Sequence, residues 1–189
     1  RSKDGLYNIK YKFPPELILS SGFFYHNTSE FYKFYRDKLN CLNARPNIIH
    51  KYMVKLEKMG KLKAIVTQNI DGLHTKAGST NVLELHGTIY KNHCIKCHKF
   101  YDAEYVFNSN DIPRCECGSL VKPDVVLYGE MLDEYTLNRS IEVISNCDTL
   151  IVAGTSLTVE PASSLVRLFR GKNLVIINRD ATSYDSIAS

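Results

Sequence analysis

Four cysteines, Cys94, Cys97, Cys115 and Cys117, fall within the stretch CIKCHKFYDAEYVFNSNDIPRCECG. The protein has only six in 189 residues, so the clustering needs a reason. Paired thiols bind metal, form disulfides or simply fill a core. Their surroundings, KCHK and RCEC, are polar, which argues against core thiols. The chain opens RSKDGLY, without the basic stretch and apolar core of a secretion signal, so reduced thiols are expected. Metal is then the favoured reading. Two short-spaced pairs, C-x2-C and C-x-C-G, supply the four soft ligands of a tetrahedral zinc site, and Gly118 frees the backbone behind the tighter pair. Four thiolates leave no open position for water, so such a zinc is scaffolding. His93 and His98 have no vacancy to fill, and Cys41 and Cys147 stand alone, Cys147 as a core residue.

Catalytic chemistry must come from elsewhere. TQNIDGLHTKAG delivers Gln68, Asn69 and Asp71 within four residues, with Gly72 to turn the chain. LELHGTIY places His86 between an apolar run and Gly87. A histidine titrates near neutrality and suits general-base work, and a carboxylate stabilises developing positive charge. Taken singly, a polar loop or a lone histidine is more often structural than catalytic.

The elements around these residues point to one arrangement. LKAIVTQN (62–69), DTLIVAGTS (148–156) and NLVIINRD (173–180) are short runs rich in Val and Ile, read as buried strands. Helical stretches, DEYTLNRSIEVISN (133–146) and PASSLVRLFRG (161–171), alternate with them. Strand–helix alternation implies an α/β fold with a parallel sheet, whose ligands bind outside the carboxyl ends of the strands. Those ends carry TQNIDG, GTS and NRD. Upstream, the first 25 residues read as irregular. TSEFYKFYRDKL (28–39) reads as a helix capped by Thr28 or Ser29. PNIIHKYMVKLEKMG (46–60) reads as a helix with an apolar face at Ile49, Tyr52, Met53 and Leu56, stopped by Gly60. Its lysines read as a solvated face. Hydrophobic content of 44% and charged content of 23% fit a globular domain. A net charge of +4 does not argue for nucleic acid, and no apolar run reaches the length of a membrane span.

TQNIDGLHTKAG, LELHG, the paired cysteines, KPDVVLYGE, VAGTSLTVEPA and INRD occur in one order along the chain. Together they resemble the sirtuins, the NAD-dependent protein deacylases, of bacterial type, over essentially the whole sequence. The resemblance implies a Rossmann-like NAD-binding domain (residues 1–87 and 123–189, with a helical insertion within about 5–45) and a zinc-binding module (88–122), the module and the insertion joined in a smaller domain. It implies His86 as general base, with Asn69 and Asp71 also catalytic. Arg1, Gln68, Asn69, Ile70, Asp71, Gly154, Thr155, Ser156, Asn178 and Arg179 would contact NAD. Val126, Tyr128, Gly129 and Val159 would contact an acyl-lysine peptide, clasped between the edges Val125–Glu130 and Thr158–Glu160. Cys94, Cys97, Cys115 and Cys117 would hold zinc. The implied reaction moves the acyl group of an acyl-lysine protein or peptide to ADP-ribose and releases nicotinamide, in the cytoplasm. Arg1 resembles the last residue of the family's glycine-rich phosphate-binding element, and the expectation is that residues 1–189 alone bind NAD weakly.

Family members that prefer succinyl groups carry Tyr-x-x-Arg in the helical insertion. FFYHNTSEFYKFYRDK contains Tyr32, Tyr35 and Arg36 but no such spacing, which favours uncharged acyl groups. Two other readings compete: an ADP-ribosyltransferase on the same fold, and a non-enzymatic zinc ribbon binding nucleic acid. The ribbon leaves TQNID, LHG and GTS unexplained.

Overall fold

The computed structural model describes residues 11–189, so the role expected of Arg1 lies outside the described residues. The elements run α1 (Pro15–Ile18), α2 (Ser21–His26), α3 (Thr28–Leu39), α4 (Ile48–Lys58), β1 (Ile65–Thr67), α5 (Leu73–Ala77), β2 (Val82–Glu84) and β3 (Gly87–Cys94). There follow β4 (Phe100–Tyr101), α6 (Ala103–Phe107), β5 (Val121–Val125), α7 (Glu134–Asn146), β6 (Thr149–Ala153) and β7 (Asn173–Ile177). They form two compact units.

The first unit comprises the described residues up to Asn47, with Asn69–Lys76 and His86–Met131. It holds α1–α3 and an antiparallel sheet in the order β4–β3–β5. Phe24, Phe31, Tyr32, Phe34 and Tyr35 are fully buried, in one core with Ile89, Cys94, Val106, Cys115 and Val121. Phe31 stacks on Tyr35 and Tyr35 on Phe107, with ring centroids 5.5 and 5.3 Å apart. The Tyr32 hydroxyl donates to the Val121 carbonyl. The buried Asn92 amide donates to the carbonyls of Ile89, Tyr101 and Asp102, fastening β3 to the β4 strand. These contacts hold the cysteine-bearing segment and the helices α1–α3 in one compact unit. The cysteine-bearing segment has too little apolar surface of its own and completes its core with the aromatic face of α2 and α3.

The second unit comprises Ile48–Gln68, Ala77–Leu85 and Leu132–Ser189. It contains the parallel pairs β1–β2 and β6–β7, the latter in register from Thr149↔Asn173 to Ala153↔Ile177. Leu85, Ile144, Ala162 and Leu165 form one cluster, and Leu157, Val166, Leu174 and Tyr184 another. Glu57 Oε1 accepts from the backbone N–H groups of Thr80 and Asn81, tying α4 to the turn before β2.

Several elements differ from the sequence reading. The opening segment is not irregular throughout: Pro15 starts α1, and Ser20 caps α2 by accepting from the Phe23 N–H. The cap position of α3 is Asn27, because α2 ends only one residue earlier. Thr28 Oγ1 instead donates back to the Phe24 carbonyl. On α4 the buried residue is Val54, whereas Ile49 and Tyr52 are exposed. Residues 163–168 form a 3-10 helix rather than an α-helix. The β6 and β7 strands alternate in burial instead of being covered on both faces, with Ile151 and Ile177 exposed.

Candidate functional site

The four cysteines meet as expected. Their sulfurs all lie within 4.8 Å of one another, with Cys94 Sγ 3.5 Å from Cys117 Sγ and Cys97 Sγ 3.4 Å from Cys115 Sγ. These separations are too long for S–S bonds. They lie near the edges, about 3.8 Å, of a tetrahedron built on zinc–sulfur bonds. Cys94 Sγ also accepts the N–H groups of Lys96 and Cys97, as a thiolate on a tight turn would. The turn closes through His98, whose φ is 58° and whose N–H donates to the Cys94 carbonyl. On the second arm Gly118, at φ 83°, donates to the Cys115 carbonyl. No disulfide joins any of the six cysteines. Cys147, expected in a core, is half-buried, its thiol directed at the Ile144 carbonyl.

The first unit contains the loop carrying Asn69, Ile70 and Asp71, which follows β1 in the chain. The Ile70 carbonyl accepts from the Ile89 N–H, and Ile70 packs on the aromatic core. Asp71 Oδ1 accepts from the Leu73 N–H at 3.0 Å, turning the chain into α5. Gly72 has φ 62°, and a Cβ there would stand 2.8 Å from the Tyr90 ring. Burial, and then the charge of Asp71, hold the Cys41 thiol above its usual range, and burial does the same to Tyr90. Lys76 reaches back from α5 to the carbonyls of Leu42 and Ala44.

His86 lies between β2 and β3, half-buried, and its carbonyl accepts from the Val126 N–H at 3.0 Å. The next residue, Gly87, pairs with Val125 at φ 72°. A Cβ there would come within 1.8 Å of the Asp124 carbonyl oxygen, so only glycine lets β5 pass beside His86. Beyond it, Tyr128 donates its N–H to the Leu19 carbonyl and accepts from the Ser21 N–H. Tyr128 and Gly129 are exposed, and Val126 is half-buried.

In the second unit, Gly154, Thr155 and Ser156 follow the end of β6. Gly154 donates to the Ile177 carbonyl, Thr155 Oγ1 accepts from Gln68 Nε2 at 3.4 Å and from the Leu157 N–H, and Ser156 pairs with Thr158. Val159 is half-buried, and its carbonyl accepts from the Ser163 N–H. Hydrogen bonds from Ser163 and Ser164 hold the Glu160 carboxyl below its usual range. Asn178 and Arg179 follow β7. Asn178 donates to the Asp180 carbonyl, and Arg179 pairs with the Asp180 carboxylate at 2.8 Å. The polar residues expected at carboxyl ends of parallel strands are thus found there.

Tyr32 and Arg36 are committed elsewhere. Tyr32 is fully buried on Val121, and Arg36 donates to Ser109 Oγ and the Asp111 carbonyl. Sequence reasoning missed Lys122 as the partner of Glu130. The available signal was opposite charges bracketing the apolar run of KPDVVLYGE.

A Sir2 family model matches residues 1–161. The NAD-dependent protein deacetylase of Clostridium acetobutylicum is 53% identical over 192 residues, covering 100% of this chain and 78% of that protein. The NAD-dependent protein deacetylase of Clostridium perfringens is also 53% identical, covering 100% and 79%. Among solved structures, Sir2 bound to acetylated peptide superposes with a TM-score of 0.88 at 38% identity, covering 96% of this chain and 78% of that one. A complex of Sir2 with p53 peptide and NAD+ gives a TM-score of 0.86 at the same identity and coverage.

Proposed function

Because the chain belongs to the Sir2 family, the sirtuins, we propose that it is an NAD-dependent protein-lysine deacetylase. It takes acyl-lysine proteins or peptides, NAD and water, and releases free lysine, nicotinamide and O-acyl-ADP-ribose. One observation carries this reading. Residues 68–71, His86, residues 154–156 and residues 178–179 emerge in order at strand ends, in a chain 53% identical over its whole length to a deacetylase.

The residue roles follow from their chemistry. NAD, when bound, supplies the ribose carbon that accepts the acyl oxygen. His86 takes the proton of a ribose hydroxyl, a general-base task that an imidazole nitrogen can perform. Asp71 and Asn69 face the cationic charge that develops as nicotinamide leaves. Gln68, Ile70, Gly154, Thr155, Ser156, Asn178 and Arg179 contact NAD. Val126, Tyr128, Gly129 and Val159 seat the acyl-lysine peptide. Cys94, Cys97, Cys115 and Cys117 hold a zinc that steadies the module of residues 88–122 and takes no part in chemistry. With Tyr32 and Arg36 engaged elsewhere, the acyl group is uncharged. Among the described residues no helix is long and apolar enough to cross a membrane, and a thiolate site needs the reduced thiols of a cytoplasmic setting.

Mass spectrometry of the products from NAD and an acetyl-lysine peptide tests the reading. Equal amounts of nicotinamide, deacetylated peptide and acetyl-ADP-ribose are expected. An ADP-ribosylated peptide would reassign the protein as a transferase to side chains, and no nicotinamide release would sink both enzyme readings.

A further inference from the structure

Lys122, near the start of β5, and Glu130, five residues beyond its end, bracket the peptide-contacting run. Their side chains are only 18% and 25% exposed, on either side of the apolar run Val125–Tyr128. An ammonium group has three protons, and Lys122 Nζ places oxygens around it: Glu130 Oε2 at 3.0 Å and the carbonyls of Pro123 and Val125 at 3.3 Å. The same Glu130 oxygen accepts from the Leu127 N–H at 2.9 Å, while the Glu130 N–H donates to the Leu127 carbonyl at 2.9 Å. The turn Leu127–Glu130 is therefore closed twice, once by backbone and once by carboxylate. Gly129 at φ 88° permits it. Backbone bonds also fix Val126 to His86, and Tyr128 within the turn to Leu19 and Ser21.

We propose that the Lys122–Glu130 pair is a positioning device for acyl-peptide recognition. It sets the backbone geometry of the turn that presents Val126, Tyr128 and Gly129, without itself touching substrate. This rests on the deacetylase reading above. Removing the carboxylate strands the Leu127 N–H and leaves a half-buried ammonium without its counter-charge, so the turn relaxes. The side-chain hydrogen bonds of the pair all stay within residues 122–130, so NAD recognition is expected to be left alone.

The test compares wild type, Glu130→Ala, Glu130→Gln and Lys122→Met in the full-length protein. KM for an acetyl-lysine peptide and for NAD, the affinity of a fluorescent acetyl-lysine peptide without NAD, zinc content and melting temperature are measured. Glu130→Ala and Lys122→Met should weaken peptide binding and raise peptide KM about tenfold, the loss of one charge-assisted hydrogen bond. NAD KM, kcat at saturating peptide and zinc content should stay within about twofold, the resolution of such a comparison against that tenfold loss. Glu130→Gln keeps an oxygen for the Leu127 N–H and should recover most of the affinity. Unchanged peptide binding in Glu130→Ala overturns the inference. So does a parallel loss of NAD affinity, zinc and melting temperature, which would mark a purely structural pair. A wild type that releases no nicotinamide defeats the deacetylase reading itself and this inference with it. An active wild type with indifferent variants defeats this inference alone.

Discussion

Asp71 is held by the backbone as well as assigned to chemistry, and the two roles separate by substitution. Asp71→Asn keeps an oxygen for the Leu73 N–H, so the turn into α5 persists while the charge is lost. The expected outcome is slowed nicotinamide release with an unchanged melting temperature. Asp71→Ala should show the same kinetic loss plus about 1 kcal/mol of destabilisation from the missing cap. For His86 the backbone bond to Val126 survives any side-chain change. His86→Ala should therefore lower turnover by about 10² to 10⁴ while zinc content and fold stay intact. Near-normal deacetylation by His86→Ala would remove it from the general-base role. Gly87→Ala is the contrasting case: the strained φ and the collision with the Asp124 oxygen predict at least about 1–3 kcal/mol of lost stability, read from urea unfolding. The place of His86 at a strand end was legible in LELHGTIY, where it follows an apolar run and precedes Gly87. The need for glycine beside it was not, since the Asp124 backbone that demands it is distant in sequence.

At the scale of elements, legibility followed the strength of local signals. Both ends of the helix at 133–146 were readable, and α7 starts after an Asp133 that caps it through the Thr136 N–H and hydroxyl. Removing that cap, as in Asp133→Ala, should cost about 1 kcal/mol. The Thr136 hydroxyl and N–H also hold the Asp133 carboxyl below its usual range. A depressed folded-state pKa contributes stability above the unfolded value, near 3.9 for aspartate, and loses it as pH falls through the folded value. The difference in stability between wild type and Asp133→Ala should thus be full at neutral pH and shrink below about pH 4. A difference independent of pH would discard the charged cap. Weaker signals misled. The α1 and α2 helices are too short to show a helical period, and they are held by burying Pro15 and Ile18 on α1 and Phe23 and Phe24 on α2. On β6 and β7 the apolar runs read as doubly buried, but periodicity cannot say whether both faces are covered.

Across the whole molecule, the metal and the aromatic core belong to the same unit. Cys94 and Cys115 are members of the cluster that contains Phe24, Phe31, Tyr32 and Tyr35, while the clusters around Ile144 and Leu174 are built from other residues. The family resemblance joined the helical insertion to the zinc module in one small domain, but no residue pattern singled out Tyr32, 89 residues from Val121, as the contact that closes on the cysteine-bearing sheet. That long-range bond, with the shared core, couples α2 and α3 to the cysteine-bearing sheet. Structural zinc contributes roughly 10–16 kcal/mol in small zinc peptides, against about 5–15 kcal/mol for the net stability of a domain. Cys115→Ala, or chelation of the zinc, should therefore unfold more than the cysteine turns. Hydrogen exchange followed by mass spectrometry should show protection lost in α2, α3, β3 and β5 together. Amides of α7, β6 and β7 should keep theirs, because their cores contain no thiolate ligand. The loss should track zinc release measured with a chromogenic chelator. Deprotection confined to residues 94–118 would show that the aromatic core stands without the metal. Uniform deprotection of the whole chain would show that the two units unfold as one.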